Sequence, residues 1–366
     1  MVNNLQEEDL CSNPDFMSCM LRVRHSYDVR HKRMIREADI GGPGAALSFY
    51  DADTSREQFH LFKRMADMAK DAGYKSFSDR YSRDAEKILE ERKNSGRFSE
   101  AGYVNMDLHN HLATSDDMSG LLERLLHRVV KTRFTPSIIG VVDFNNFGEK
   151  SRFAQLVRQA DGNAYNFGNS LYFPLEDVML VKGQEVPTRE GHLLVMGLEK
   201  DSFIKPGMPL DYSLDEAKSL DAITIVDHPF SPDGGLGNII AQNRGKYLNM
   251  FDAWEVYNSE AALFPGANRK ALDYYNDRIE NQYSVSALSG SDGHSIREIG
   301  RSYTGAMIQA YDSLRNGEDV RNMLRDALIS GSELRQDVKR PAIMGATKHM
   351  AELAAIIGLS KVGLYK

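Results

Sequence analysis

Two histidines spaced i, i+2 close a short apolar run, Val104-Asn105-Met106-Asp107-Leu108-His109-Asn110-His111. In an extended chain, residues i and i+2 project to one side, about 6–7 Å apart at Cα. Two imidazoles so placed can close on one metal ion. An exposed strand can carry such a pair by chance, so the weight rests on the ionisable residues further along the chain. Asp116 comes a few residues later, and Asp143 ends the run Ile138–Asp143. Glu185 follows Val178–Gly183, and His192 opens a run after a Pro187–Gly191 turn. His228 ends Ile223-Thr224-Ile225-Val226-Asp227-His228-Pro229. Asp292 and His294 repeat the i, i+2 spacing in Ser289-Gly290-Ser291-Asp292-Gly293-His294. Singly, each has an ordinary alternative: His228 before Pro229 as a turn histidine, His192 as a cap on the Gly191 turn. Glu185 is harder to dismiss, because a carboxylate beside buried strands needs a partner. Five of the ten histidines fall in these slots, so the ordinary readings need several independent coincidences. Imidazole and carboxylate donors suit zinc, manganese or iron, and do not choose among them.

Positioning these groups requires strands that end together. Apolar strand candidates are Tyr103–Leu108, Ile138–Asp143, Val178–Gly183, Leu193–Gly197, Ala222–Val226, Ala253–Tyr257, Val285–Ser289 and Thr304–Ile308. Helical candidates lie between several of them, at Ser119–Lys131, Leu214–Ser219 and Pro265–Asn281. Short apolar strands alternating with helices predict a parallel sheet or a (β/α) barrel, which gathers its chemistry at strand ends. A doubly wound open sheet is the rival, but no Gly-x-Gly-x-x-Gly follows the first strand and no Walker-type loop is present.

The flanks differ. Residues 1–100 are rich in charge and predict a helical hairpin. Ser55-Arg56-Glu57-Gln58 has the form of a capping box. Phe59, Phe62, Met65, Ala66 and Ala69 then recur at helical spacing up to Gly73, and a second helix spans about 78–92 with Tyr81, Ala85, Ile88 and Leu89 on one face. This extension reads as a packing or dimerisation element, with His25, His31 and His60 solvated. After the barrel, Val320, Met323, Leu324, Ala327 and Leu328 predict a helix stopped by Gly331, and another helix spans about 343–357, with His349 on the surface. Residues 101–366 form the expected hydrolase unit.

Composition bounds the function. Lys plus Arg is 45 against 52 Asp plus Glu, a balance of −7 that disfavours a general nucleic-acid binder. Two cysteines, Cys11 and Cys19, are too few for a disulfide framework and fit a reducing, cytoplasmic setting. The acidic N-terminus is not that of a secretory signal, and no run approaches about 18 apolar residues, so no membrane span is expected.

In this order the motifs resemble those of the PHP (polymerase and histidinol phosphatase) family. They are Asp107-Leu108-His109-Asn110-His111 with Ser115-Asp116, Gly140-Val141-Val142-Asp143, Gly183-Gln184-Glu185 with Gly191-His192, His228-Pro229 and Gly290-Ser291-Asp292-Gly293-His294. The resemblance covers about Tyr103 to Ala306. It implies a distorted (β/α)7 barrel holding two or three divalent ions. By that likeness His109, His111, Glu185 and Asp292 hold the first ion. Glu185 bridges to a second, held also by His192 and His228. Asp116 and His294 belong to a third site. The family usually completes that site with a histidine directly after the aspartate of the second motif. Here Phe144 stands in that place and cannot ligate. The likeness therefore implies a two-ion core with a degraded third site, open to completion by Asp143, Asn145 or water.

The reaction expected of such a site is phosphate ester hydrolysis, by attack of metal-bound hydroxide on phosphorus. Asp116 and His294 are the candidate proton donors where no third ion occupies them. Lys182, Arg189, Arg269 and Arg297 lie near motif ends and are candidate phosphate contacts. The Gly-rich loop 231–237 could cover the mouth. The expected substrate is a small-molecule phosphate ester of a metabolite or nucleotide. A nuclease, an amidohydrolase-type enzyme and a silent metal-binding module are the alternatives. His294, two residues after Asp292, favours phosphorus chemistry over the amidohydrolase pattern.

Overall fold

The computed structural model describes residues 59, 62–63, 65–67, 69–71, 73, 75–94, 102–112, 120–132, 134–144, 148–160, 163–308, 314–330 and 333–336. Asp116, Asn145, His25, His31, His60, His349 and the helix expected at 343–357 lie outside the described residues. The chain divides into two compact units, residues 1–96 with 174–176, and residues 97–173 with 177–366. In the first, α1 (Lys75–Asn94) buries Ala85 and Leu89 with Phe59, and Tyr81 stacks on Phe62. That is the apolar face read from the i, i+3, i+4 spacing.

The second unit is a mixed α/β fold. Its elements run β1 (Gly102–Asp107), α2 (Leu121–Lys131), β2 (Ser137–Asp143), α3 (Arg152–Ala160), β3 (Tyr165–Asn166), β4 (Ser170–Phe173), β5 (Val178–Pro187) and β6 (His192–Met196). They continue with α4 (Leu210–Ser219), β7 (Ile223–Val226), α5 (Gly237–Gln242), α6 (Arg244–Tyr247), β8 (Ala253–Asn258), α7 (Ala267–Arg278), β9 (Ser286–Gly290), β10 (Ser302–Ile308), α8 (Gly317–Ser330) and β11 (Glu333–Gln336). Among the described residues the sheet order is β11-β10-β1-β2-β5-β6-β7-β8-β9, with β3 and β4 as a side hairpin on β5. Eight strands, β1, β2 and β5 to β10, form a nearly closed barrel-shaped sheet surrounded by helices.

All eight strands read from the sequence are present, but their directions are mixed. β1–β2, β2–β5, β7–β8 and β8–β9 are parallel, while β6 is antiparallel to β5 and β7, and β10 is antiparallel to β1. The link Thr188–Gly191 is the reason for β6: four residues make a hairpin and cannot make a crossover. Thr188 N–H and Oγ–H both donate to Gly191 O, at 2.8 and 2.6 Å.

The seam between β9 and β10 is stitched by side chains. Ser289 N–H donates to Thr304 Oγ1 at 2.9 Å, and Ser302 N–H to Ser291 Oγ at 3.1 Å. At the site end, β9 is joined instead to the chain beyond β1, where His111 N–H donates to Gly293 O at 2.8 Å. Asp107 reinforces the join, accepting from Ser291 N–H at 3.0 Å and Gly300 N–H at 2.8 Å.

Inward rows of the strands make one core: Val104 and Met106 of β1, Ile138 of β2, Met179 and Val181 of β5, Leu194 and Met196 of β6, Ile223 and Ile225 of β7, Ala253 and Leu288. α8 adds Val320, Met323, Leu324, Ala327 and Leu328 to the same cluster, so the helix read from their spacing packs on the barrel interior. Val178 and Leu180 of β5, and Leu193 and Val195 of β6, point outward into separate clusters under the helices.

Candidate metal centre

Strand alternation places several of the polar groups. A residue two positions beyond an inward apolar side chain also faces inward. Met179 and Val181 are followed on that parity by Glu185, Ile225 by Asp227, Ala253 by Glu255, and Leu288 by Gly290 and Asp292. His192 shares the parity of Leu194 and Met196, and because β6 is antiparallel its first residue lies at the end where its neighbours finish. The rows thus change from apolar to ionisable at one end of the barrel. Asp292, with φ 50°, and His228, just beyond β7, with φ 25°, have left-handed backbone, which costs on the order of 1–3 kcal/mol each and is typical of functional sites.

Five imidazoles form a continuous chain. Ring centroids lie 4.7 Å apart for His294–His111, 5.3 Å for His111–His109, 5.8 Å for His109–His228 and 5.6 Å for His228–His192. Glu185 runs between two pairs of them. Its Oε2 lies 3.0 Å from His111 Nε2 and 3.9 Å from His109 Nε2. Its Oε1 lies 2.7 Å from His192 Nδ1 and 3.1 Å from His228 Nε2. Asp292 Oδ1 faces His109, His111 and His294 Nε2 at 3.4, 3.5 and 3.5 Å, while Asn258 donates to its Oδ2 at 3.1 Å. Among the described residues, three groups can therefore hold a metal ion: His109, His111 and Asp292; Glu185, His192, Asp227 and His228; and Glu260, Asp292 and His294. Within each, the donor atoms lie within 4.8 Å of one another.

Burial makes this cluster depend on charge compensation. Burial works against protonating His109, but Asp292 and Glu255 outweigh it and hold its pKa well above the usual imidazole range. His228 is held up in the same way, against burial, by Asp227 and Glu185. Burial would raise the Glu185 and Asp292 carboxyls, yet the surrounding histidines hold both well below the usual carboxylate range. Asp227 is the exception: burial pushes it up to about 7. His109 Nε2 and His192 Nδ1 are buried and face carboxylate oxygens without hydrogen-bond alignment. Nitrogens turned toward a shared centre in this way fit divalent cations, which would meet them and the carboxylates at once.

Several residues complete the frame that spacing alone did not reveal. Glu255 and His109 Nδ1 are 3.1 Å apart, and Glu255 also accepts from His228 N–H at 2.8 Å and Asn258 Nδ2 at 2.9 Å. Glu260 lies 2.7 Å from His294 Nε2. The strand parity of Ala253 and Glu255 was the available signal for the first. Glu260 follows β8 in a turn and carries no periodic signal.

The remaining expected residues fall differently. Phe144 packs its ring edge-to-face with His192, centroids 5.4 Å apart. Asp143 is committed elsewhere: it accepts from Ser151 Oγ at 2.7 Å and Arg152 N–H at 3.0 Å, at the start of α3. Lys182 has the outward parity of Leu180, and its ammonium donates to the carbonyls of Glu199, Lys200 and Ser202, away from Glu185. Arg189 donates from Nε to Gly207 O at 3.3 Å, and Arg297 is exposed. Arg269 lines a cleft of about 670 Å³ with Phe230, Pro232, Lys270, Tyr274 and Arg278. The Gly-rich loop packs on His192, whose N–H donates to Gly234 O at 2.8 Å. At Gly234, φ 108°, a Cβ would lie 2.8 Å from the His192 ring.

No protein-family model matches the sequence, and no curated protein matches it. Among solved structures the chain is similar to PsfC from Pseudomonas syringae PB-5123, with 14% identity over 69% of this chain and 99% of that one, and a TM-score of 0.47. It is also similar to a protein from Bifidobacterium adolescentis described as a "putative metal-dependent phosphoesterase", with 10% identity over 63% of this chain and 96% of that one, and a TM-score of 0.34. Neither likeness transfers a function at these identities. Among the described residues, no helix is long and apolar enough to cross a membrane.

Proposed function

We propose that the chain is a PHP-type, metal-dependent phosphoesterase that hydrolyses a phosphate ester of a small metabolite or nucleotide in the cytoplasm. The supporting observation is Glu185, which offers one carboxylate oxygen to His109 and His111 and the other to His192 and His228. That is the disposition of a bridging ligand between two cations. His109, His111, Glu185 and Asp292 would hold one, and Glu185, His192 and His228 the other. When bound, such ions polarise a phosphoryl oxygen and acidify water.

The protein's own groups supply the rest. Asn258 fixes the far oxygen of Asp292, so Oδ1 stays turned to the three imidazoles. His294, paired with Glu260, is more open to solvent than His109, His111 and His228, and it donates a proton to the leaving oxygen. The cleft that Arg269, Lys270 and Arg278 line together with Asp273 and Asp277 offers cationic contacts to an anionic substrate, and Phe230 and Tyr274 give it apolar surface. Residues 101–366 carry the activity, with residues 1–100 as a packing or dimerisation element.

The test combines metal analysis with turnover. Protein stripped by chelator and reloaded with Mn²⁺ or Zn²⁺ is assayed on an aryl phosphate, a bis-aryl phosphate and single-stranded DNA. Two bound ions and release from an aryl phosphate are expected, both lost in His109→Ala and Asp292→Ala. Release only from DNA moves the reading to a nuclease. Two bound ions with no release from any substrate retires phosphoester hydrolysis.

A further inference from the structure

Asp227 is a carboxylate of the centre that neither the motif series nor the proposed ligand set uses. It is fully buried, yet neither of its oxygens meets a hydrogen-bond donor. His228 Nε2 faces it at 3.6 Å from Oδ2, beyond hydrogen-bonding reach. A buried carboxylate without hydrogen bonds is costly and calls for an explanation. Its position supplies one. Asp227 follows Ile225 on the inward row of β7, and a carboxylate oxygen lies within 4.8 Å of the donor atoms of Glu185, His192 and His228.

We infer that Asp227 is a further protein ligand for the cation held by Glu185, His192 and His228. This rests on the two-cation reading above and adds a residue to it. The consequence is chemical. With Asp227 the second group becomes two carboxylates and two imidazoles, and the pair of groups carries three carboxylates against the four positive charges of two divalent ions. A harder, oxygen-richer donor set shifts preference toward Mn²⁺ or Fe²⁺ relative to an imidazole-dominated one. It also anchors that ion more firmly than Glu185, His192 and His228 alone.

The test is Asp227→Asn, with Asp227→Ala as a second variant, in the full chain. Chelator-stripped protein is titrated with Mn²⁺ by calorimetry, and metal content is read by mass spectrometry. Thermal melts are run with chelator and with saturating Mn²⁺. Wild type is expected to take up two ions. The variants are expected to lose about tenfold to a hundredfold in affinity for one of them. Without metal they should melt no lower than wild type, because the change removes an unsatisfied buried carboxylate. With metal they should melt lower. Equal affinity for both ions in wild type and variants overturns the inference, as does an equal loss of melting temperature with and without Mn²⁺. If wild type itself takes up no Mn²⁺ or Zn²⁺, the two-cation reading has failed, and that result is distinct from both.

Discussion

Glu255 and His109 are wholly buried neighbours from opposite parts of the chain, with Glu255 Oε1 3.1 Å from His109 Nδ1. The carboxylate fixes which imidazole nitrogen faces the centre: with Nδ1 engaged, Nε2 is left toward Glu185 and Asp292. The same carboxylate accepts from His228 N–H, so it sets the positions of histidines in both groups. Outer partners of this kind hold the tautomer and orientation of a ligand. Glu255→Gln keeps the volume but loses the charge. It should weaken metal binding by about tenfold to a hundredfold while the fold is retained. Calorimetric titration with Mn²⁺, beside a circular dichroism spectrum, checks this. Unchanged affinity would remove Glu255 from the centre's support.

Phe144 tests the alignment of the second motif. Its ring touches His192, so the side chain does reach the group of ionisable residues. Phe144→His would place a further imidazole beside His192. The variant is expected to bind one more ion than wild type, read as metal per chain after reloading. Unchanged stoichiometry would mean that the second motif is misaligned and that Phe144 does not occupy a lost ligand position.

How far the site was legible depends on what spacing records. His109, His111, Asp292 and His294 announce themselves by i, i+2 repeats at the ends of apolar runs. Glu185, His192 and His228 stand at strand termini that the apolar pattern also marks, and the structure brings all seven together. Asp227 shares the inward parity of Ile223 and Ile225, a signal that lies one residue before the histidine closing the same run. Glu260 was invisible, because its approach to His294 depends on the path of a turn. Lys182 shows the converse error: proximity to Glu185 in sequence says nothing about face, and an odd separation along a strand puts the two on opposite sides. The barrel itself was readable from eight apolar runs. The direction of β6 needed the shortness of its connection to be weighed.

Gly290 is required by the packing of the centre. A Cβ there would lie 2.4 Å from Glu255 Oε1 and 3.1 Å from the His109 Cβ. Glu255 cannot retreat without releasing His109, His228 N–H or Asn258. Gly290→Ala is therefore expected to destabilise the fold by about 1–3 kcal/mol, as overpacking does. It should also weaken metal binding more than Glu255→Gln does. Denaturant unfolding and Mn²⁺ titration measure the two effects. A variant as stable as wild type with full affinity would show that the contact relaxes freely.

Protons and cations should compete for this centre, and the sign is fixed by the pKa shifts. Burial opposes protonation of His294, but Asp292 and Glu260 raise its pKa from 6.5 to about 10. A raised histidine pKa adds stability that is fully present below its unfolded value of 6.5 and is lost as pH rises through about 10. Burial raises Asp107 from 3.8 to about 6, only partly offset by its hydrogen bonds, so the folded state again favours the protonated form. That contribution is present below 3.8 and is lost through about 6. In chelator, both make the fold less stable as pH rises across these windows. Cations require deprotonated ligands, so the gain in melting temperature on adding Mn²⁺ should grow with pH between about 6 and 8.5. Over the same range, His294→Gln should flatten the decline of the metal-free protein. Thermal melts of both proteins, with chelator and with saturating Mn²⁺, measure this; a metal-induced gain independent of pH would mean that the cations do not displace protons from His109, His111, His192 and His228.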